Sequence, residues 1–450
     1  MNNNKNKLKL FKSNPTKALW TLSIPMMLGM SVQAIYMLID TAFIGKWVGG
    51  SALAGLGLIF PPLFIIMGIT FGLGSGATTV IAKSIGEENK QKADNAADHI
   101  IFLGILLSLL FIIIGYFGGE NIIKYQSDNA MIIEHASDYF FTMLIGTFFM
   151  IMSIFFRSIL SGEGDNLFPM KVLGLGTLIN LILDPAFIYY YQIKGAAAAT
   201  VISQIIVFII FTFMMIFKKH TYITLNLRNF KFDTSILIQI LKLGIPASLS
   251  MLIMSIGLFF YNKILSMTEM PMEAIAAYST AHRIEHLFFI PIISIATSMV
   301  TLVGMFYGAK RLDLINKVIS YGLKSAISIS CIFGLLFFSS SKLIFPLFTN
   351  DQNIIKVGVE YFTIFSFAIP LVTLTMICSR VMQGLGKAYP MLIITCLRVI
   401  VISCTTAYFF IEYLNKPLHF AWYSILISCI ASSLLAAIWL FIIKKNIVLD

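Results

Sequence analysis

The sequence predicts an all-α integral membrane protein with twelve transmembrane helices in two pseudo-symmetric six-helix bundles. Three observations carry that expectation. Of 450 residues, 58% are hydrophobic and only 12% charged, against about 25% charged in soluble domains, so lipid is the main solvent. Twelve apolar stretches each approach or exceed the ~20 residues that cross a ~30 Å hydrocarbon core as a helix. Finally, landmarks of the first half return in order about 222 residues later. Pro25 returns as Pro246, Ala52-Leu53-Ala54 as Ala274-Ile275-Ala276, Gly86 as Gly308, and Gly162-Glu163-Gly164 with Pro169-Met170 as Gly384-Leu385-Gly386 with Pro390-Met391. Six spans lie between each landmark and its echo, so the halves run in the same direction through the bilayer, the parallel-repeat plan of several secondary transporters. On that plan the cleft between the halves is the natural substrate site.

A basic lead (Lys5, Lys7, Lys9, Lys12, Lys17) without a small-residue cleavage site precedes the first span, 18–45, which reads as an uncleaved insertion signal. This span carries Pro25, a weak point for bending, a cluster of methionines (Met26, Met27, Met30, Met37), and Gln33, Tyr36 and Asp40 on one helical face. Spans 2 and 3 (51–82 and 97–117) flank the Gly86 loop. Span 4 (133–156) has Tyr139 at its outer start and Arg157 at its inner end. Span 5 (167–191) holds Asn180 and Asp184 four residues apart, with Pro185 next to them. Its ring removes the helical donor to the Leu181 carbonyl, leaving an oxygen beside two polar side chains. Span 6 (195–217) opens on Gly195-Ala196-Ala197-Ala198-Ala199-Thr200, small residues that let helices approach closely.

A polar linker, 218–234, follows, too short for a soluble domain. The expected organisation is therefore an N-lobe over 1–217, the linker over 218–234 and a C-lobe over 235–450. The second half repeats the plan at 235–262, 273–304, 318–341, 353–379, 389–412 and 419–443. Its eighth span contains His282, Arg283, Glu285 and His286 near mid-bilayer, a second polar cluster that reads equally as titrating groups, a cavity wall or a buried ion pair. Arg398 in the eleventh span reads as structural. The five cysteines, all in the second half, lack metal-type spacing and read as packing residues.

Lys and Arg set the orientation. The N-terminus, the even-to-odd loops (Lys218 and Lys219 among them) and the C-terminus hold 22 of the 32, and the opposite side holds seven. The positive-inside rule places both termini in the cytoplasm. The net charge of +11 follows from that topology and from anionic headgroups, with no need for nucleic acid.

An Asp inside a membrane helix costs about 2.5–3.5 kcal/mol on insertion scales, so each is a functional candidate. Asp40, Asp184 and Thr200 fall at one depth, ~8–10 Å from an outer helix end at 1.5 Å per residue. The corresponding positions in the second half lack acids. Two close carboxylates in a dry pocket cannot both stay charged without a cation, which makes Asp40, Asn180, Asp184 and Thr200 the candidate cation-coupling site. Gln33, Tyr36 and Tyr139 are its candidate supports, and Pro25 the candidate hinge.

This ordered set resembles the multidrug and toxic-compound extrusion (MATE) transporters over essentially the whole chain, and Asn180-Leu181-Ile182-Leu183-Asp184-Pro185 is similar to the MepA-like and DinF-like bacterial branch. The resemblance implies an antiporter in the bacterial cell membrane that exports bulky cationic or amphipathic compounds from the cytoplasm by alternating access. H+ or Na+ would drive it, with no cofactor and no nucleic-acid partner, and the chain would work as a monomer among membrane lipids. A sodium ion, were it the coupling ion, would sit at Asp40 and Asp184; no other metal is expected. Some members carry acids in the seventh and tenth spans. Here Ser250–Ser255 and Phe365–Pro370 contain none, which argues against a sodium site of that kind. The alternative within the superfamily is a lipid-linked oligosaccharide flippase, which needs a more cationic cleft than Arg283 and Arg398 supply. A non-transport intramembrane enzyme needs a nucleophile or metal motif, and neither HExxH nor GxSxG occurs.

Overall fold

The computed structural model describes residues 7–449 apart from 219, 220, 227 and 229. Lys5 and Lys219, both counted toward the cytoplasmic charge, lie outside the described residues. Every described element is helical, as a lipid solvent demands: a spanning segment must satisfy its own backbone polar groups. In chain order they are α1 (Leu8–Ser13), α2 (Pro15–Trp47), α3 (Gly50–Gly86), α4 (Lys90–Gln126), α5 (Ala130–Gly162), α6 (Leu167–Thr212), α7 (Thr234–Leu265), α8 (Pro271–Gly308), α9 (Leu312–Ile344), α10 (Gln352–Gly384), α11 (Tyr389–Cys396), α12 (Thr405–Tyr408) and α13 (His419–Leu449). The backbone widens to π-type turns over Phe213–Phe217, Leu397–Cys404 and Phe409–Tyr413, so α11 and α12 belong to one span.

Eleven helical runs among the described residues are long and apolar enough to cross a bilayer. One of them, Leu167–Phe217, has 51 residues, or ~77 Å at 1.5 Å per residue, more than twice the hydrocarbon thickness. It is broken at Gln192 (φ 54°, ψ −132°), so it is two antiparallel spans and the crossings number twelve. The helices overrun the apolar stretches because their ends carry polar residues that reach water. Loop side chains cap the new starts: Asn129 Oδ1 accepts from the amides of Met131 and Ile132 (3.1 and 3.3 Å), and Asp351 Oδ1 from those of Asn353 and Ile354 (2.8 and 3.2 Å).

The repeat is written into the backbone. Glu88 and Lys310 both turn left-handed (φ 57° and 54°), as do Gly164 and Gly386 (φ 85° and 82°). At each of these four helix ends an amide reaches back five residues to a carbonyl: Asn89 to Ser84, Arg311 to Phe306, Asp165 to Leu160 and Lys387 to Met382, at 2.8–3.0 Å. This closing bond lets the chain reverse sharply while satisfying the last carbonyls.

The chain forms two compact units. The first holds Ile24–Ile245 with the described residues up to Lys9; the second holds Leu10–Ser23 with the residues from Pro246 onward. The exchange points fall beside the paired prolines, Pro25 in α2 and Pro246 in α7. In the second unit, Trp20 Nε1 donates to the Tyr321 hydroxyl (2.9 Å), and Leu19 packs by Gly322. In the first, a Cβ on Gly76 would come within 2.6 Å of Ile240 O and 2.7 Å of Gly244 N, so α3 and the start of α7 touch backbone to backbone. The second unit has an aromatic core in which Phe337 stacks on Phe362 (4.5 Å) beside Phe345, Tyr361 and Trp422. In the first unit, Ile44, Ala52, Leu56, Ile188 and Ala196 form a cluster beside the first and sixth spans.

Side chains of the first unit also hold the linker down. Glu163 Oε2 accepts the Ile223 amide (3.2 Å), Asp94 Oδ1 that of Thr224 (2.9 Å), Asp98 Oδ1 that of Asn226 (3.0 Å) and His99 Nε2 that of Asp233 (3.0 Å), while Asn95 Nδ2 donates to Lys231 O (2.9 Å). Glu163 is only 7% exposed. Burial pushes its carboxyl up to about 8, against the opposing pull of the Ile223 amide and the Lys7 charge.

Candidate functional site

Three helical segments of the first unit bring the predicted acids together. On α2, Tyr36 and Asp40 are four residues apart and share a face. On α6, Asn180 and Asp184 do the same on the outward leg, and the break at Gln192 turns the chain back so that Thr200 returns beside them. Gly195 makes the turn possible. A Cβ there would clash with the Phe187 carbonyl oxygen, far inside van der Waals contact.

The polar atoms close into one network. Asn180 Nδ2 donates to Asp184 Oδ1 (2.7 Å); the Tyr36 hydroxyl lies 2.6 Å from Asn180 Oδ1 and 3.0 Å from Asp184 Oδ2 and can donate to either. Thr200 Oγ1 reaches Asn180 Oδ1 at 3.5 Å and donates to its own helix at Ala196 O (3.1 Å). Asp184 is 0% and Asn180 3% exposed. The Asp40 carboxyl faces that of Asp184 closely enough to share a hydrogen bond. The two acids differ in their donors. Each Asp184 oxygen has a donor within hydrogen-bond distance, whereas Asp40 Oδ1 is buried with no donor among the described residues.

Tyr139 stands within electrostatic reach of both carboxyls and packs against the cluster that holds Ile44, Ala52, Ile188 and Ala196. Gln33 does not join them. It is exposed and lines a separate cavity of the first unit with Pro25, Met26, Gly29, Met30, Arg157, Asn166, Pro169, Met170 and Leu173. Seven residues before Asp40, it sits ~10 Å further along the helix, too far for a side chain to bridge. Arg157, at the inner end of the fourth span, lies over the Phe71 ring (5.6 Å). Arg380, near the end of α10, donates to Gln383 Oε1 (2.9 Å). Pro25 lies within a continuous α2.

The cluster on α8 separates. Glu285, 5% exposed, accepts from the Tyr361 hydroxyl (2.6 Å) and faces His282 Nδ1 (3.3 Å), while Arg283 and His286 are exposed. Sequence reasoning missed Tyr361, because a tyrosine in an apolar run reads as packing until its hydroxyl is seen to need a partner. The linker's anchors, Glu163 and His99, were missed as well; their sequence neighbours signal only loop ends.

Known proteins resemble this chain in sequence and fold. The MatE family model matches residues 25–186 and 246–409, one match per half of the chain. The chain is 26% identical over 429 residues to the probable multidrug resistance protein NorM of Thermotoga maritima, covering 93% of this chain and 90% of that one. It is 26% identical over 360 residues to the multidrug export protein MepA of Staphylococcus aureus, 78% of each. A solved outward-facing structure of a multidrug-resistance MATE transporter of the MOP superfamily superposes with a TM-score of 0.94 at 30% identity, over 98% of both chains.

Proposed function

The chain belongs to the MatE family, and from that premise we propose that it is a cation-coupled multidrug antiporter of the bacterial inner membrane, not an enzyme. It exports bulky cationic or amphipathic compounds by alternating access between its lobes, 1–217 and 235–450, with both termini in the cytoplasm. The lopsided acid pair carries this reading: Asp184 with a donor in reach of each oxygen, beside Asp40 with a buried oxygen that has no donor among the described residues. A carboxylate in that state calls for a positive partner.

On this reading Asp184 is the anchor, fixed by Tyr36 and Asn180, and Asp40 is the exchanging group. A proton arriving at Asp40 supplies the missing hydrogen bond to Asp184 and cancels one charge. A sodium ion would use both carboxylates with Asn180 Oδ1 and Thr200 Oγ1. Either cation changes which conformation of the unit is favoured, because its affinity differs between states in which the α2 and α6 faces meet and states in which they part. A cationic compound is attracted while Asp40 is charged and released when the ion neutralises it. Pro25, where α2 lacks one backbone hydrogen bond, is the point at which the helix bends between states.

The test is dye efflux from proteoliposomes under an imposed pH gradient and, separately, an imposed sodium gradient. One of the two drives efflux, and Asp40→Asn with Asp184→Asn abolishes it. Efflux that survives the double replacement at the wild-type rate ends the proposal.

A further inference from the structure

Glu285 lies ~21 Å along α8 from Pro271, well inside the span, where a carboxylate needs a reason to persist. A purely structural acid at that depth is expected to hold a guanidinium or several donors. Glu285 has the Tyr361 hydroxyl on Oε1 (2.6 Å) and the His282 ring on Oε2 (3.3 Å), and no Lys or Arg within 4.0 Å among the described residues. Arg398, on the π-type stretch Leu397–Cys404, is near enough to act on Tyr278 and Cys429 but forms no ion pair with this acid.

Buried rings and an exposed histidine flank the carboxylate. Behind the carboxylate, Tyr278 packs on Tyr261 (5.1 Å), Tyr361 (5.7 Å) and Trp422 (6.0 Å), and these rings are all buried. In front stands His282, its side chain 44% exposed and its ring held edge-on by Tyr278 at 4.6 Å. The exposed face of α8 that carries His282 also carries Arg283 and His286, so it meets water rather than lipid.

We propose that Glu285 is a second proton-exchange site, borne by the second unit, and that His282 passes the proton between water and the carboxylate. A proton from water binds His282 Nε2 and makes the ring an imidazolium; the Nδ1 proton moves to Glu285 Oε2, leaving a neutral ring protonated at Nε2 and a neutral acid still accepting from Tyr361. Release runs the same steps backward, so one proton enters or leaves per cycle and the imidazole returns to its first tautomer. Other titratable or charged groups surround the acid. They are Tyr361 from α10, Tyr278 from α8 and Cys429 from α13, with the Arg398 guanidinium beside Tyr278 and Cys429. The site deepens the antiporter reading by giving the half without an aspartate pair its own titrating group.

The experiment is pH-difference infrared spectroscopy of the purified full-length protein, which reads the C=O stretch of a protonated carboxyl without requiring transport. Glu285→Gln should remove one carboxyl band that Asp40→Asn with Asp184→Asn leaves in place. His282→Asn, which keeps the carboxylate, should retain the band but slow its appearance after a pH jump by about a hundredfold. Persistence of every band in Glu285→Gln, or wild-type exchange in His282→Asn, overturns the proposal. Because the aspartate variants are read in the same spectra, failure of the first-unit site and failure of this one give different results.

Discussion

The hold of Glu163 on the linker makes a pH dependence that can be worked out in sign and size. Glu163→Gln keeps the shape and an accepting oxygen for the Ile223 amide but cannot ionise. With the linker docked, the wild-type carboxyl titrates at about 8; released to water it returns to its ordinary value near 4.5. The docked form therefore binds the proton more tightly, and docking is strongest below about 4.5. As pH rises toward 8, the opening free energy falls by about 1.4 kcal/mol per unit, because the released carboxyl gives up its proton to water while the docked one keeps it. Above 8 the dependence levels off. The assay is hydrogen exchange at the Ile223 and Thr224 amides, divided by the intrinsic exchange rate. Wild-type protection should drop about tenfold per pH unit between 5 and 8, whereas Glu163→Gln should hold nearly constant. The Asp233 amide, bound to His99 ten residues on, is an internal control and should respond alike in both proteins. An equal slope at Ile223 in the two proteins would refute the reasoning.

Gly195→Ala should drive its Cβ into the Phe187 carbonyl, which cannot swing aside, costing at least about 1–3 kcal/mol by overpacking. It should abolish efflux by parting Thr200 from Asn180, while Gly174→Ala, with open space around it, should be neutral or slightly stabilising in a thermal melt. Tyr36→Phe removes the hydroxyl beside Asp184 and Asn180, a loss of about 1.5–3 kcal/mol where the acceptor is charged. The ion concentration for half-maximal efflux should then move by roughly 10–100-fold with protein abundance unchanged. Trp20→Phe and Tyr321→Phe should each lower thermal stability by about 0.5–1.5 kcal/mol, and the double variant no further, since both delete one hydrogen bond.

How much of this was legible follows from what each residue costs. Asp40 and Asp184 stood out because lipid penalises acids, and Thr200 because its depth matched theirs; those arguments need composition and helical rise alone. The break at Gln192 was expected within a few residues, since a 51-residue apolar run cannot be a single crossing. Gln33 looked equivalent to Tyr36 on a helical wheel, but a wheel discards height, and the missing ~10 Å placed it in another cavity. Tyr361, His99 and Glu163 gave no usable signal. Their roles depend on partners at separations of 76, 134 and 60 residues, set by tertiary packing that local pattern does not encode. The π-type stretches around Arg398 were equally silent, because the apolar residues there fit an ordinary helix as well.

The swap of leading segments at the paired prolines has a bearing on how such a molecule can be divided. Neither compact unit is complete on half the chain: the second borrows Leu10–Ser23, with its Trp20 anchor, and the first borrows the opening turns of α7 up to Ile245. A half-length gene product could finish its own bundle only by taking the leading segment of a sister molecule. Two fragments cut at the linker therefore carry, in their first helices, the pieces needed to find each other, and they should reassemble when co-expressed where either one alone is degraded.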